Sequence, residues 1–277
     1  MSKMKFLNIG CGHQYHSDWH NLDFVSTGEG VQAHNLLEGI PYDNDYFEVV
    51  YHSHLLEHFT KKDGLKLIKE CYRVLSNNGT IRVVVPDLEG IVKMYLNTLN
   101  AVLEDNSPLN KSNYEWSVIE LFDQMVREKS GGNMLEYWKQ ETILNEDFIT
   151  GRMGQEFVLK RQKYDKNNQA AARRIPSKKS KKSLKRLIVE SIFKRDMHRI
   201  NLNKKYIKLG KFRQSGEIHK WMYDRYSLKI LLEEVGFKKV KIKDAFTSDV
   251  KNWGKFGLDV VDGKIRKPDS LFVEATK

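Results

Sequence analysis

Leu7-Asn8-Ile9-Gly10-Cys11-Gly12 is a short apolar run that ends in a Gly-x-Gly turn. Such a run predicts a β-strand, and glycines directly after it let a backbone approach a ligand that a Cβ would repel. By itself the turn is a weak signal. It gains weight from Asp23, in the next apolar run, Asn21 to Phe24, because doubly wound folds place an acid there to accept hydrogen bonds from ribose hydroxyls. The turn and the acid lie closer together than the ~20 residues of a dinucleotide fingerprint. The third glycine is also missing, so a nucleoside without a pyrophosphate fits better.

Working outward, β-branched runs recur at Val31 to His34, Phe47 to His52 and Thr80 to Val85. Between the last two, Leu65, Ile68, Tyr72 and Leu75 repeat at helical spacing, and Ser76-Asn77-Asn78-Gly79 reads as the turn ending that helix. A further helix is predicted from Leu88 to Leu103. The alternation then stops, and resumes with a helix over Tyr226 to Val235 and strands over Phe237 to Ile242 and Leu271 to Ala275. The pattern predicts an α/β fold with a mostly parallel sheet. Residues 1–103 and 216–277 would together form a Rossmann-like cofactor domain, and 104–215 a helical, basic insertion or lid.

Composition narrows the classes. No apolar run approaches the ~18 to 20 residues needed to span a bilayer, and the opening Met1-Ser2-Lys3-Met4-Lys5 leads straight into the first strand. The two cysteines, Cys11 and Cys71, lack metal-site spacing. A cytoplasmic protein in a reducing compartment, with no metal, is expected. His13, His16 and His20 match no standard metal spacing either. The net charge of +11 is concentrated: residues 151–215 carry +17 and the other 212 residues −6.

Several strings taken together resemble the class I methyltransferases that use S-adenosylmethionine. They are Leu7 to Gly12, Trp19-His20-Asn21-Leu22-Asp23, Gly39-Ile40-Pro41-Tyr42, Ser53-His54-Leu55-Leu56-Glu57-His58-Phe59, Glu70-Cys71-Tyr72-Arg73-Val74-Leu75 and Val85-Pro86-Asp87-Leu88. The subgroup found among polysaccharide-biosynthesis enzymes is the most similar. The resemblance covers residues 5 to 90 and returns at Met222 to Val240. It implies a sheet closed by a terminal antiparallel strand. It also implies that Asn8, Gly10, Cys11 and Gly12 line the methionine and ribose, that Asp23 binds the ribose hydroxyls, and that Asn35 and Leu36 flank the adenine, with Ser53 and His54 nearby. Asn8 and Asn35 stand where the family usually has acids, which loses charge at the cofactor.

Methyl transfer to a hydroxyl needs an aligned acceptor and a base. His54, Asp87 and His219 are the candidates: the first two follow strands at the sheet's carboxyl edge, and His219 sits where the lid would rejoin the core. Glu57 and His58 lie on the same ligand-binding edge, where the alternative reading is that they cap or orient the following helix. His52-Ser53-His54-Leu55 lacks the Asn/Asp-Pro-Pro-aromatic box of base-amine methylases, which favours an oxygen acceptor. Arg173 to Arg186 holds eight Lys or Arg and no acid, and Leu184, Leu187, Ile188, Ile192 and Phe193 follow as an apolar side. The expected partner is a glycan or lipid-linked glycan, with peripheral contact to an anionic inner membrane surface through Arg173 to Phe193. Two alternatives stay open: an RNA methyltransferase using that basic segment on phosphates, and a non-catalytic cofactor-binding scaffold.

Overall fold

The computed structural model describes residues 4–172 and 194–277. The basic run Arg173 to Arg186 and its apolar neighbours through Phe193 lie outside the described residues.

Strands β1 (Phe6–Ile9), β2 (His20–Asp23), β3 (Val31–Ala33), β4 (Phe47–Ser53), β5 (Leu75–Pro86), β6 (Lys238–Lys243) and β9 (Ser270–Thr276) form one sheet in the order β3-β2-β1-β4-β5-β9-β6. The first five are parallel, and β9 runs antiparallel to both β5 and β6. β7 (Val260–Val261) and β8 (Lys264–Ile265) make a separate small hairpin. This is a Rossmann-like arrangement, mostly parallel and with an antiparallel strand near one edge. Strand order reverses between β1 and β4, so their carboxyl ends flank the crevice where open α/β sheets bind ligands.

The two faces are covered by different means. On one, Leu7, Ile9, Val50, Val83, Val85 and Val273 meet α1 (Lys61–Val74) and α8 (Arg225–Val235), which contribute Leu67, Ile68, Cys71, Leu228 and Leu232. Thr60 caps α1 by accepting from the Asp63 N–H, and Asp224 with Ser227 forms a capping box on α8. No helix joins β1, β2 and β3. The opposite face is instead packed by the irregular stretch 244–269, through Ala245, Val250, Trp253, Phe256 and Leu258 against Trp19, Tyr51, Val84 and Phe272.

Arg82, fully buried on β5, fastens that stretch. Its guanidinium donates to Asp259 and Glu274 at 2.8 Å each and to the carbonyls of Thr247 and Asp244, and it stacks over the Trp253 ring. A buried cation is tolerated only when paired and hydrogen-bonded in this way.

The predicted turn at Ser76 to Gly79 differs in the structure. α1 ends at Val74, and Leu75 already pairs with Phe47, so residues 76–79 form a bend inside β5, with Asn78 left-handed at φ 63°. Pairing to β4 overrides the local turn preference. The other predicted strands and helices stand within a few residues of where periodicity put them. Beyond α2 (Leu88–Glu104) come α3 (Pro108–Val126), α4 (Gly132–Trp138), α5 (Glu146–Met153), α6 (Gln155–Ala172) and α7 (Lys194–Arg213). Trp116, Met134, Tyr137, Trp138, Ile149 and Phe157 give the α3 to α6 segment its own apolar core. Among the described residues no helix is long and apolar enough to cross a membrane.

Candidate active site

The turn after β1 is built for close approach. Gly10 and Gly12 adopt φ +63° and +54°, a region that L side chains avoid. A Cβ on Gly10 would meet the Leu55 side chain at 2.6 Å, while one on Gly12 would meet nothing within 4 Å. The first glycine is therefore required by the β4 loop packed on it, and the second borders open space. The Gly12 N–H donates to Asp23 Oδ2 at 2.8 Å, so turn and acid form one unit.

Asn8 is buried beneath this loop and donates to the Gln14 carbonyl at 3.1 Å and to Asn21 at 3.4 Å. An acid here could not donate to that carbonyl, which explains the amide. Gln14 in turn donates to the Gly257 carbonyl at 2.6 Å. Cys11 is buried, and desolvation above all, with Asp23 beside it, pushes its thiol up to about 11. Asn35 caps the short turn Leu36–Glu38, accepting from Leu37 N–H and donating to Glu38, and Leu36 packs on the core. Open glycine backbone, a carboxylate at the adjacent strand end and no phosphate-binding helix fit the nucleoside and methionine of S-adenosylmethionine.

Past β4 the chain turns at His54, whose φ is +52°. His54 Nδ1 lies 3.3 Å from Glu57 Oε1, and its Nε2 is 2.8 Å from Ser270 Oγ. Burial first, then the positive charge of Lys267, hold this imidazole well below its ordinary pKa, so it is neutral. Glu57 is fully buried and pushed up to about 8 by desolvation, and its backbone carbonyl accepts from Lys220 and Trp221 N–H. Since Thr60 caps α1, neither Glu57 nor His58 performs the capping role expected of them.

His219, 162 residues further on, comes back to this point. Its N–H donates to the Gln124 carbonyl, and its ring meets that of His58 edge-on at 4.9 Å between centroids. His54, Glu57, His58 and His219 form one wall of a cavity of about 400 Å³. The helices supply the other wall through Arg127, Met134, Trp138 and Glu156. Asp123 holds that wall, pairing with Arg127 at 2.8 Å and accepting from Asn133 N–H at 2.6 Å at the start of α4. Lys267 and Asp269, from the segment before β9, complete the lining. Asp269 is buried, and desolvation pushes it up to about 7.

His54 and His219 thus share one cavity, while Asp87 does not line it. Asp87 starts α2, its N–H donating to the Asp269 carbonyl. Sequence reading missed Lys267 and Asp269 as lining groups, and nothing local points to them. His16 and His20 are spent elsewhere, on Phe256 and on Tyr42 and Phe47.

Residues 23–83 match the family described as a methyltransferase domain, a stretch holding Asp23 and all of the β4 loop through His58. Among solved structures the chain is similar to a S-adenosylmethionine-dependent methyltransferase from Archaeoglobus fulgidus, at 13% identity over 100% of this chain and 87% of that one, with TM-score 0.39. It is also similar to a possible histamine N-methyltransferase from Thermotoga maritima, at 11% identity over 100% and 84%, with TM-score 0.38. No curated protein matches. The sheet is Rossmann-like, and residues 23–83 carry the match to a methyltransferase domain. The chain is a methyltransferase, and its cofactor is S-adenosylmethionine.

Proposed function

We propose that the chain methylates a hydroxyl of a glycan or glycan precursor, bound in the cavity beside His54, with residues 104–215 acting as the acceptor lid. The supporting observation is the character of that cavity. Imidazoles, carboxylates and ammonium groups are interleaved around about 400 Å³, with Trp138 as an apolar surface. A polyhydroxylated acceptor suits such a lining, because many donors and acceptors must be matched at once.

Gly10, Gly12 and Asp23 would hold the cofactor, which when bound supplies an electrophilic methyl on a sulfonium. The acceptor hydroxyl would be aligned on that methyl in the cavity, and its proton would pass to the neutral imidazole of His54, flanked by Ser270 and Glu57. The lipid-linked form of the acceptor and contact with an anionic membrane through Arg173 to Phe193 belong to the same proposal, as does a cytoplasmic site of action.

The test is methyl transfer from isotopically labelled S-adenosylmethionine to a panel of free and lipid-linked glycans. Label on a glycan hydroxyl, lost in His54→Ala, is the expected result. Label on RNA instead, with binding that falls steeply with salt, would overturn the acceptor assignment.

A further inference from the structure

We propose that Glu57, His58 and His219 form a mononuclear site for a divalent transition metal, open toward the cavity. One ligand atom from each of the three lies within 4.8 Å of the others. Metal bonds of ~2.0–2.2 Å require ligand atoms ~3–4 Å apart, so small side-chain adjustments close the set.

A second observation points to the same ligand. Among the described residues, both carboxylate oxygens of Glu57 and Nδ1 of His219 are buried without a hydrogen bond, the 3.3 Å approach of His54 Nδ1 to Glu57 Oε1 being an ion-pair distance only, and both residues are at least nine-tenths buried. Buried polar atoms are nearly always satisfied, so a fully buried carboxylate with the His219 Nε2 4.0 Å from its Oε1 and no hydrogen bond to it marks a missing partner. The cations nearby are already engaged: Arg127 pairs with Asp123 and Glu217, and Lys267 and Lys160 with Glu156. His58 Nδ1 lies 3.3 Å from the Ile218 carbonyl. Donation to that oxygen fixes the tautomer and leaves Nε2 as the coordinating lone pair.

Two imidazole nitrogens and one carboxylate favour zinc, manganese, iron or cobalt over magnesium or calcium. Three protein ligands leave coordination positions facing the cavity, as in catalytic rather than structural sites. That they receive acceptor oxygens rests on the function proposed above; the metal site itself does not.

The test uses the full chain without an affinity tag, stripped by chelator and titrated with Co²⁺ while visible absorption is recorded, with Zn²⁺ as competitor. One equivalent of Co²⁺ with d–d bands, displaced by Zn²⁺, is expected, and Glu57→Gln, His58→Gln and His219→Asn should each weaken binding at least tenfold. Circular dichroism and S-adenosylmethionine binding report whether each variant is folded. Absence of bands in the wild type, or equal Co²⁺ affinity in folded variants, would overturn the site. Cofactor binding without Co²⁺ binding sinks the metal site alone, whereas Co²⁺ binding with no glycan methylation sinks the acceptor proposal and leaves the site standing.

Discussion

Gln14 in the cofactor loop and Gly257 in the stretch covering the second sheet face are joined by a 2.6 Å hydrogen bond, across 243 positions of sequence. The loop between β1 and β2 has no helix to brace it, and this bond, with the Asn8 to Gln14 contact, holds its far end. Gln14→Ala should leave the fold intact and weaken S-adenosylmethionine binding about fivefold, the worth of a net hydrogen bond of ~1 kcal/mol. Calorimetric titration measures it.

Arg82 is the other anchor of that covering stretch. Arg82→Leu would strand the buried carboxylates of Asp259 and Glu274. Removing one member of a buried ion cluster costs ~3–5 kcal/mol. Urea denaturation should show a loss of that size. A loss below ~1 kcal/mol would mean that the network contributes little to stability.

His52 is fully buried in β4 with neither ring nitrogen hydrogen-bonded among the described residues, and desolvation lowers its pKa from 6.5 to about 3. The unfolded chain therefore binds the proton more readily. Its contribution is whole above pH 6.5 and is lost as pH falls toward 3. His52→Leu should flatten the stability curve in that window by up to ~1.4 kcal/mol per pH unit. The comparison with wild type at each pH isolates this group from Glu57 and Asp269, whose raised pKa values act in the opposite sense.

Cys11 and Cys71 are both buried, and burial raises both thiols, Cys11 to about 11. The protein should resist thiol-specific reagents at pH 8 although Cys11 sits in the cofactor turn, because the thiolate is the reactive form. No thiol should react in the native protein and two in denaturant. Fast labelling of Cys11 in the native state would show that the turn opens.

The parts of this molecule legible in its sequence are those whose cause is local. β1 and β4 announce themselves as apolar runs, α1 by helical spacing, and Gly10 and Gly12 by a turn that only glycine tolerates. The stretch 244–269 has no periodicity, because its cohesion comes from Arg82, Asp259 and Glu274 meeting across the fold. His219 reads as a lone histidine beside aromatics, and only the path of the chain back to Gln124 brings it to Glu57. Lys267 and Asp269 belong to the cavity for the same reason, being carried there by the antiparallel β9.

The most direct measurement is titration of the wild type and of Asp23→Ala with S-adenosylmethionine and S-adenosylhomocysteine. The Asp23 carboxylate is expected to serve both the Gly12 N–H and the ribose, so micromolar binding in the wild type should be lost in the variant. Wild-type binding that survives the substitution would place the cofactor elsewhere, and no wild-type binding would contradict the methyltransferase reading itself.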